Sequence, residues 1–237
     1  MNAPITDIIR QRYSCRRFDG RPLDEEKQRS LRDFLATLTV GPFGTPARFV
    51  LAAASAGDRK ELKGLGTYGL IRGAAGYIIG AVERGPRDME DFGYLMEQAI
   101  LAATATGLGT CWLGGSFTKS SFAGRIAATS GETVPAVAAG GHAVSAMPAS
   151  PRRLPAEQLF FHGRSGRPLA AAEAGPYALP LEMVRLAPSA SNKQPWRIIR
   201  DGDAWHFYLA RTKGYGKGSL IFRLLDLADL QRVDLGI

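Results

Sequence analysis

The 237-residue sequence predicts an α+β fold built from two related halves. Three observations predict it. Apolar residues recur at helical spacing in several stretches. Short apolar runs of strand length stand between those stretches. A loop-then-strand segment at Gly41–Phe49 matches another at Pro188–Trp196 in position. The halves are expected to span 1–150 and 151–237 and to form one globular unit.

The elements follow in order. Ile5, Ile8 and Ile9 at helical spacing predict a first helix ahead of a basic cluster at Arg10–Arg17. Pro22-Leu23-Asp24 opens a second, with Asp24 as its N-cap. Leu31, Phe34, Leu35 and Leu38 fall at i, i+3, i+4 and i+7 and give that helix one apolar face. Gly41–Gly44 breaks the pattern. Strands are predicted at Phe49–Ala54 and Tyr77–Val82, with a Gly-rich loop or short helix between them. Asp91–Thr106 reads as a long helix with Gly107 as its stop signal. Cys111–Leu113 and Val134–Ala139 read as buried strands, and Met147–Pro155 as a linker. Leu181–Leu186 reads as a helix end. Trp196–Arg200 and Trp205–Leu209 flank Asp201-Gly202-Asp203, a hairpin signal. A Gly/Lys loop at Lys213–Ser219 leads into a leucine-rich helix from Ile221 onwards. Asp234-Leu235-Gly236 matches Asp91-Phe92-Gly93, where the first half enters its long helix. The second half is therefore expected to be cut short.

Composition excludes several classes. With 45% hydrophobic and 22% charged residues the chain is neither disordered nor fibrous. No apolar run reaches the roughly 18–20 residues of a membrane helix, and the N-terminus has no signal-peptide pattern. No membrane association and a cytoplasmic location are expected. Cys15 and Cys111 form no CxxC and no disulfide framework. His142, His162 and His206 lack ligand spacing, so no metal site is expected. The formal charge of +8 suits an anionic cofactor, an acidic substrate or nucleic acid. No nucleic-acid motif accompanies it, so no nucleic-acid partner is expected. Gly214–Ser219 lacks a P-loop ending, and Gly107-Leu108-Gly109 follows a helix rather than the strand a dinucleotide fingerprint requires.

Three segments can carry chemistry. In Arg12-Tyr13-Ser14-Cys15-Arg16, two guanidinium forks and a hydroxyl at alternate positions can converge on a phosphate. The same residues also suit an exposed basic helix end favoured by the macrodipole. In Pro188–Trp196, small hydroxyl residues and an amide allow close approach to a planar heterocycle, or simply make a polar turn. In Gly107–Gly115, glycines let backbone lie against a flat ligand, or make a tight loop.

In this order the segments resemble those of nitroreductase-family flavoproteins. The first is similar to their R-x-S-x-R opening, the second to P-S-x-x-N-x-Q-P-W, and the third to G-L-G-x-x-W-x-G-G. The two-half organisation resembles the TM nitroreductase subgroup, in which fused halves mimic a dimer. The resemblance implies a nitroreductase-like fold with a mixed or antiparallel sheet flanked by helices, and an internal pseudo-dimer. It implies FMN as cofactor. Arg12, Ser14 and Arg16 match phosphate and ribityl ligands, with Tyr13 contributing backbone. Pro188, Ser189, Ser191 and Asn192 match the segment that reaches the flavin from the other half. Leu113, Gly114 and Gly115 match the loop at the ring face and N5. Arg153, from Arg152-Arg153-Leu154-Pro155, matches a basic residue closing on the phosphate. The implied activity is hydride transfer from NADH or NADPH to flavin, then reduction of a small-molecule acceptor such as a nitroaromatic or quinone, with no catalytic side chain. A flavin-binding protein without robust turnover, and a specialised dehalogenase or flavin-consuming enzyme, are alternatives on the same scaffold. One FMN site per chain is expected, in a monomer or a homodimer.

Overall fold

Ile8, the one buried side chain of α1 (Ile5–Gln11), shows how the first helix is used: its apolar side faces inward and its charged side faces solvent. The computed structural model describes residues 3–55, 60–145, 152–163 and 166–210. In α2 (Glu25–Thr37) the predicted apolar face is present, with Leu31 and Leu35 buried and Leu38 just beyond the last turn. Asp24 does occupy the N-cap position, but its carboxylate makes no capping bond and pairs with Lys27 at 3.2 Å instead.

The larger sheet is antiparallel. β1 (Ala47–Ala53) pairs with β2 (Gly76–Glu83), β2 with β5 (Val137–Gly141), and β5 with β3 (Gly109–Leu113), while the short β4 (Glu132–Thr133) pairs with the end of β2. All of β2 except Glu83 is buried, as expected of a strand covered on both faces. One cover is α3 (Asp88–Ala105) with α2, packed through Phe92, Met96 and Ile100. The other is α4 (Lys119–Arg125), whose Phe122 meets Tyr77 and Phe117 edge to face at 5.2 and 5.3 Å. Each fully buried large apolar side chain stabilises the fold by about 1.5–3 kcal/mol relative to exposure, so this two-sided core fixes the frame on which the later loops hang.

The smaller sheet is mixed, in the order β7 (Arg167–Pro168), β6 (Phe160–His162), β8 (Trp196–Asp201), β9 (Ala204–Leu209). Strands β6 and β8 run parallel, and the other pairs are antiparallel. Its core joins Leu159, Phe160, Leu169 and Ile198 to Ala174 of α5 (Ala171–Ala174) and Leu181 of α6 (Ala178–Leu186). Helix α6 packs against α1, and this contact joins the two sheets' layers.

Several boundaries differ from the sequence reading. The long helix starts at Asp88, three residues before Asp91, because Met89 is already buried. The strand expected at Val134–Ala139 runs instead over Val137–Gly141, set by its pairing with β2 and β3. The hairpin turns through Gly202 at φ +61°, a conformation glycine adopts at little cost. Much of the expected linker, the Lys213–Ser219 loop, the helix from Ile221 and the Asp234–Gly236 match lie outside the described residues.

Candidate cofactor site

After α1 ends, the chain extends alongside β3. Ser14 bridges Thr110 in parallel register, and the Cys15 amide donates to the Thr110 carbonyl at 2.8 Å. Alternation along extended backbone then separates two sides. Cys15 joins the core, while Arg12, Ser14 and Arg16 line a cavity. The Tyr13 hydroxyl donates to the Ser145 carbonyl at 2.9 Å, which ties this segment to the loop after β5.

The opposing wall is the loop after α6. Ser191, Asn192 and Gln194 all adopt left-handed backbone, at φ +51°, +55° and +49°. Asparagine tolerates this region, but serine and glutamine do so at a cost of about 1–3 kcal/mol each, which surrounding bonds must offset. Those bonds are present. The Gln194 amide donates to Ser189 Oγ at 2.8 Å, and buried Gln194 Oε1 accepts from the Leu154 amide at 2.7 Å. Arg153 donates to the Leu186 carbonyl at 2.9 Å and to Asn192 Oδ1 at 3.1 Å, while Asn192 Nδ2 donates to the Arg152 carbonyl at 2.9 Å. Residues 152–154 and 186–194 thus form one cross-bonded unit.

The two walls enclose about 440 Å³. Arg12, Tyr13, Ser14 and Arg16 line one side; Arg152, Arg153, Pro188, Ser189, Ser191 and Asn192 line the other. Nine of the residues singled out in the sequence therefore converge here, joined by Arg152. None of the described lining residues is acidic, and four of them are arginines. Burial, then the charges of Arg12 and Arg185, makes the Arg153 guanidinium easier to deprotonate than usual. An anion in the cavity would relieve that repulsion.

Leu113, Gly114 and Gly115 stand elsewhere. The Leu113 side chain is buried in the core beneath α4, and the two glycines lie just past the far end of β3 from Ser14. They do not line this cavity. Three residues that sequence reasoning gave no role now stand out. Gln194 was quoted only as part of a motif, and Trp112 likewise. Glu97 reads as one more polar residue of a long helix, yet it sits 3.5 Å from Arg12 Nε and accepts from Trp112 Nε1 at 2.7 Å.

The first half treats its matching loop differently. The Phe43 and Thr45 amides donate to the two carboxylate oxygens of fully buried Asp91, each at 2.8 Å. A Cβ at Gly41 would lie 2.3 Å from Asp91 Oδ1, so only glycine allows this approach.

A fold of this kind is shared with nitroreductases. All of the chain aligns with 84% of a solved "putative nitroreductase" from Thermotoga maritima, at 21% identity and TM-score 0.59. About two thirds of it aligns with two smaller proteins. One is a "putative nitroreductase in complex with FMN" from Desulfovibrio desulfuricans (24% identity, 65% of this chain and 94% of that one, TM-score 0.50). The other is a nitroreductase with bound FMN from Bacteroides fragilis (16% identity, 67% and 98%, TM-score 0.51). The family model described as "Putative TM nitroreductase" matches residues 4–237, and the chain belongs to that family. No curated protein sequence matches it. Among the described residues no helix is long and apolar enough to cross a membrane.

Proposed function

We propose that the chain is an FMN-dependent oxidoreductase that takes a hydride from NADH or NADPH and reduces a small acceptor such as a nitroaromatic or a quinone. The observation that carries this reading is the cavity between residues 12–16 and 188–192. It is lined by four arginines and three serines, with no acid in its described lining. That donor set fits a phosphate dianion joined to a polyol, and its volume suits a small-molecule site. FMN in two solved relatives supports the choice of anion.

Arg12, Arg16, Arg152 and Arg153 would hold the phosphate, and Ser14 with the Tyr13 backbone the ribityl chain. Pro188, Ser189, Ser191 and Asn192 would approach the flavin from the second half. The backbone of Leu113, Gly114 and Gly115 would serve the ring edge. Bound flavin supplies the two-electron chemistry. The protein's part is to bind, orient and limit water access, so no side chain is assigned as acid or base. A cytoplasmic location is part of the same proposal.

The test is the visible spectrum of purified protein after FMN addition and desalting. A retained flavin band that bleaches with NADH or NADPH under anaerobic conditions is expected. A retained band that neither nucleotide bleaches would point to flavin binding without turnover. Loss of all flavin on desalting would overturn the cofactor assignment.

A further inference from the structure

We propose that Glu97 is a positioning residue for the anion site, acting through Arg12, and that Trp112 serves to fix Glu97. This role presupposes the flavin-phosphate reading of the cavity.

Glu97 projects from α3 and keeps 17% of its side-chain exposure. Arg12, which it faces, is nearly sealed at 2%. The contact is at Nε, 3.5 Å away, so the acid sits at the inner edge of the guanidinium of a residue that also lines the cavity. An arginine side chain otherwise carries much rotamer freedom, and fixing it beforehand lowers the entropic cost of binding. The second carboxylate oxygen of Glu97 is held by the Trp112 indole N–H at 2.7 Å. The Trp112 ring in turn meets Phe92 edge to face at 6.4 Å. A continuous chain of contacts therefore runs from the α3 core to the anion cavity.

Stability alone does not explain this arrangement. Burial disfavours the ionised form of Glu97 more than Arg12 and Trp112 favour it, so the acid is held in a place that penalises its charge. A buried pair of this kind is weak evidence for stability. The contact also joins two segments with separate roles, because Arg12 belongs to the R-x-S-x-R segment and Trp112 to the glycine-rich one. Trp112 thereby gains a role in the motif that ring contacts do not give it.

The experiment measures dissociation constants of FMN and riboflavin for the native protein, Glu97→Gln, Arg12→Ala and the double variant. Riboflavin lacks the phosphate and isolates the ring contribution. Glu97→Gln keeps one acceptor for two donors, so it is expected to weaken FMN about tenfold and leave riboflavin unchanged. In the Arg12→Ala background the same change is expected to have no further effect. Trp112→Phe, which keeps the ring and removes the N–H, is expected to weaken FMN in the same direction by less. Glu97→Gln leaves the buried Arg12 guanidinium without its counter-ion and is expected to lower the melting temperature, so the unchanged riboflavin affinity is the readout that a merely structural role would not give. An unchanged FMN affinity, an equal loss for both flavins, or an undiminished loss without Arg12 would each overturn the role of Glu97. Native protein that binds neither flavin would instead overturn the cofactor reading, and this role with it.

Discussion

Arg12 and Arg16 stand four positions apart in one extended segment, yet their surroundings divide the work between them. Arg12 is buried against Glu97, while Arg16 is exposed at the cavity edge. Removing Arg16 should therefore leave the fold intact and act on the ligand. Arg16→Ala is expected to weaken FMN by about 10- to 100-fold, the range for a charge-assisted bond, as read by fluorescence titration. An affinity equal to the native one would refute the assignment. That Arg12, Ser14 and Arg16 share a side was legible in the sequence, because alternate residues of an extended segment line one face. Gln194 was not. Its value comes from burial and from reaching Leu154 forty positions away, and no local pattern encodes that. Glu97 was hidden for the same reason, since its partner lies on another element.

At the scale of elements, the helices and long strands were legible where many residues repeat one period. Leu31 and Leu35 on α2 and the apolar series on α3 fix their own faces. Strands β4, β6 and β7 have two or three residues each, too few to show a period. Helix α4 buries a single side chain, Phe122. One of these silent elements is pinned by charge. Glu132 of β4 takes a two-pronged contact from Arg48 of β1 at 2.7 and 2.8 Å, and Arg48 also donates to the carbonyls of Ile126 and Ala127. Bonding to Arg48 pulls the Glu132 carboxyl down to about 2. A folded-state value below the unfolded one stabilises the fold above the ordinary glutamate range, and that stabilisation is lost as pH falls toward about 2. Arg48 is 42% exposed, so screening reduces the gain. Native protein is expected to melt above Glu132→Gln at pH 6, with the gap closing as pH falls below about 4.5. A gap that stays constant with pH would show that the pair contributes through packing alone.

At the scale of the whole molecule, two matching loops have been put to different uses. Their common placement, after a helix and before a strand, was visible as a match of Gly41–Phe49 with Pro188–Trp196. What each loop does was not visible, because it depends on a residue distant in sequence. In the second half, Arg153 and Gln194 brace the loop so that it lines the cavity. In the first half, Asp91 takes two of the loop's amides and presses against Gly41. The buried Asp91 carboxyl there occupies two of the loop's amide donors. The proposed anion cavity thus draws arginines from residues 12–16 and from residues 152–153. This asymmetry is the centre of the account, and flavin stoichiometry tests it most directly. FMN titrated into flavin-free protein of known concentration is expected to saturate at one per chain. Saturation at two per chain would contradict it, because the first-half loop would then have to bind flavin despite Asp91.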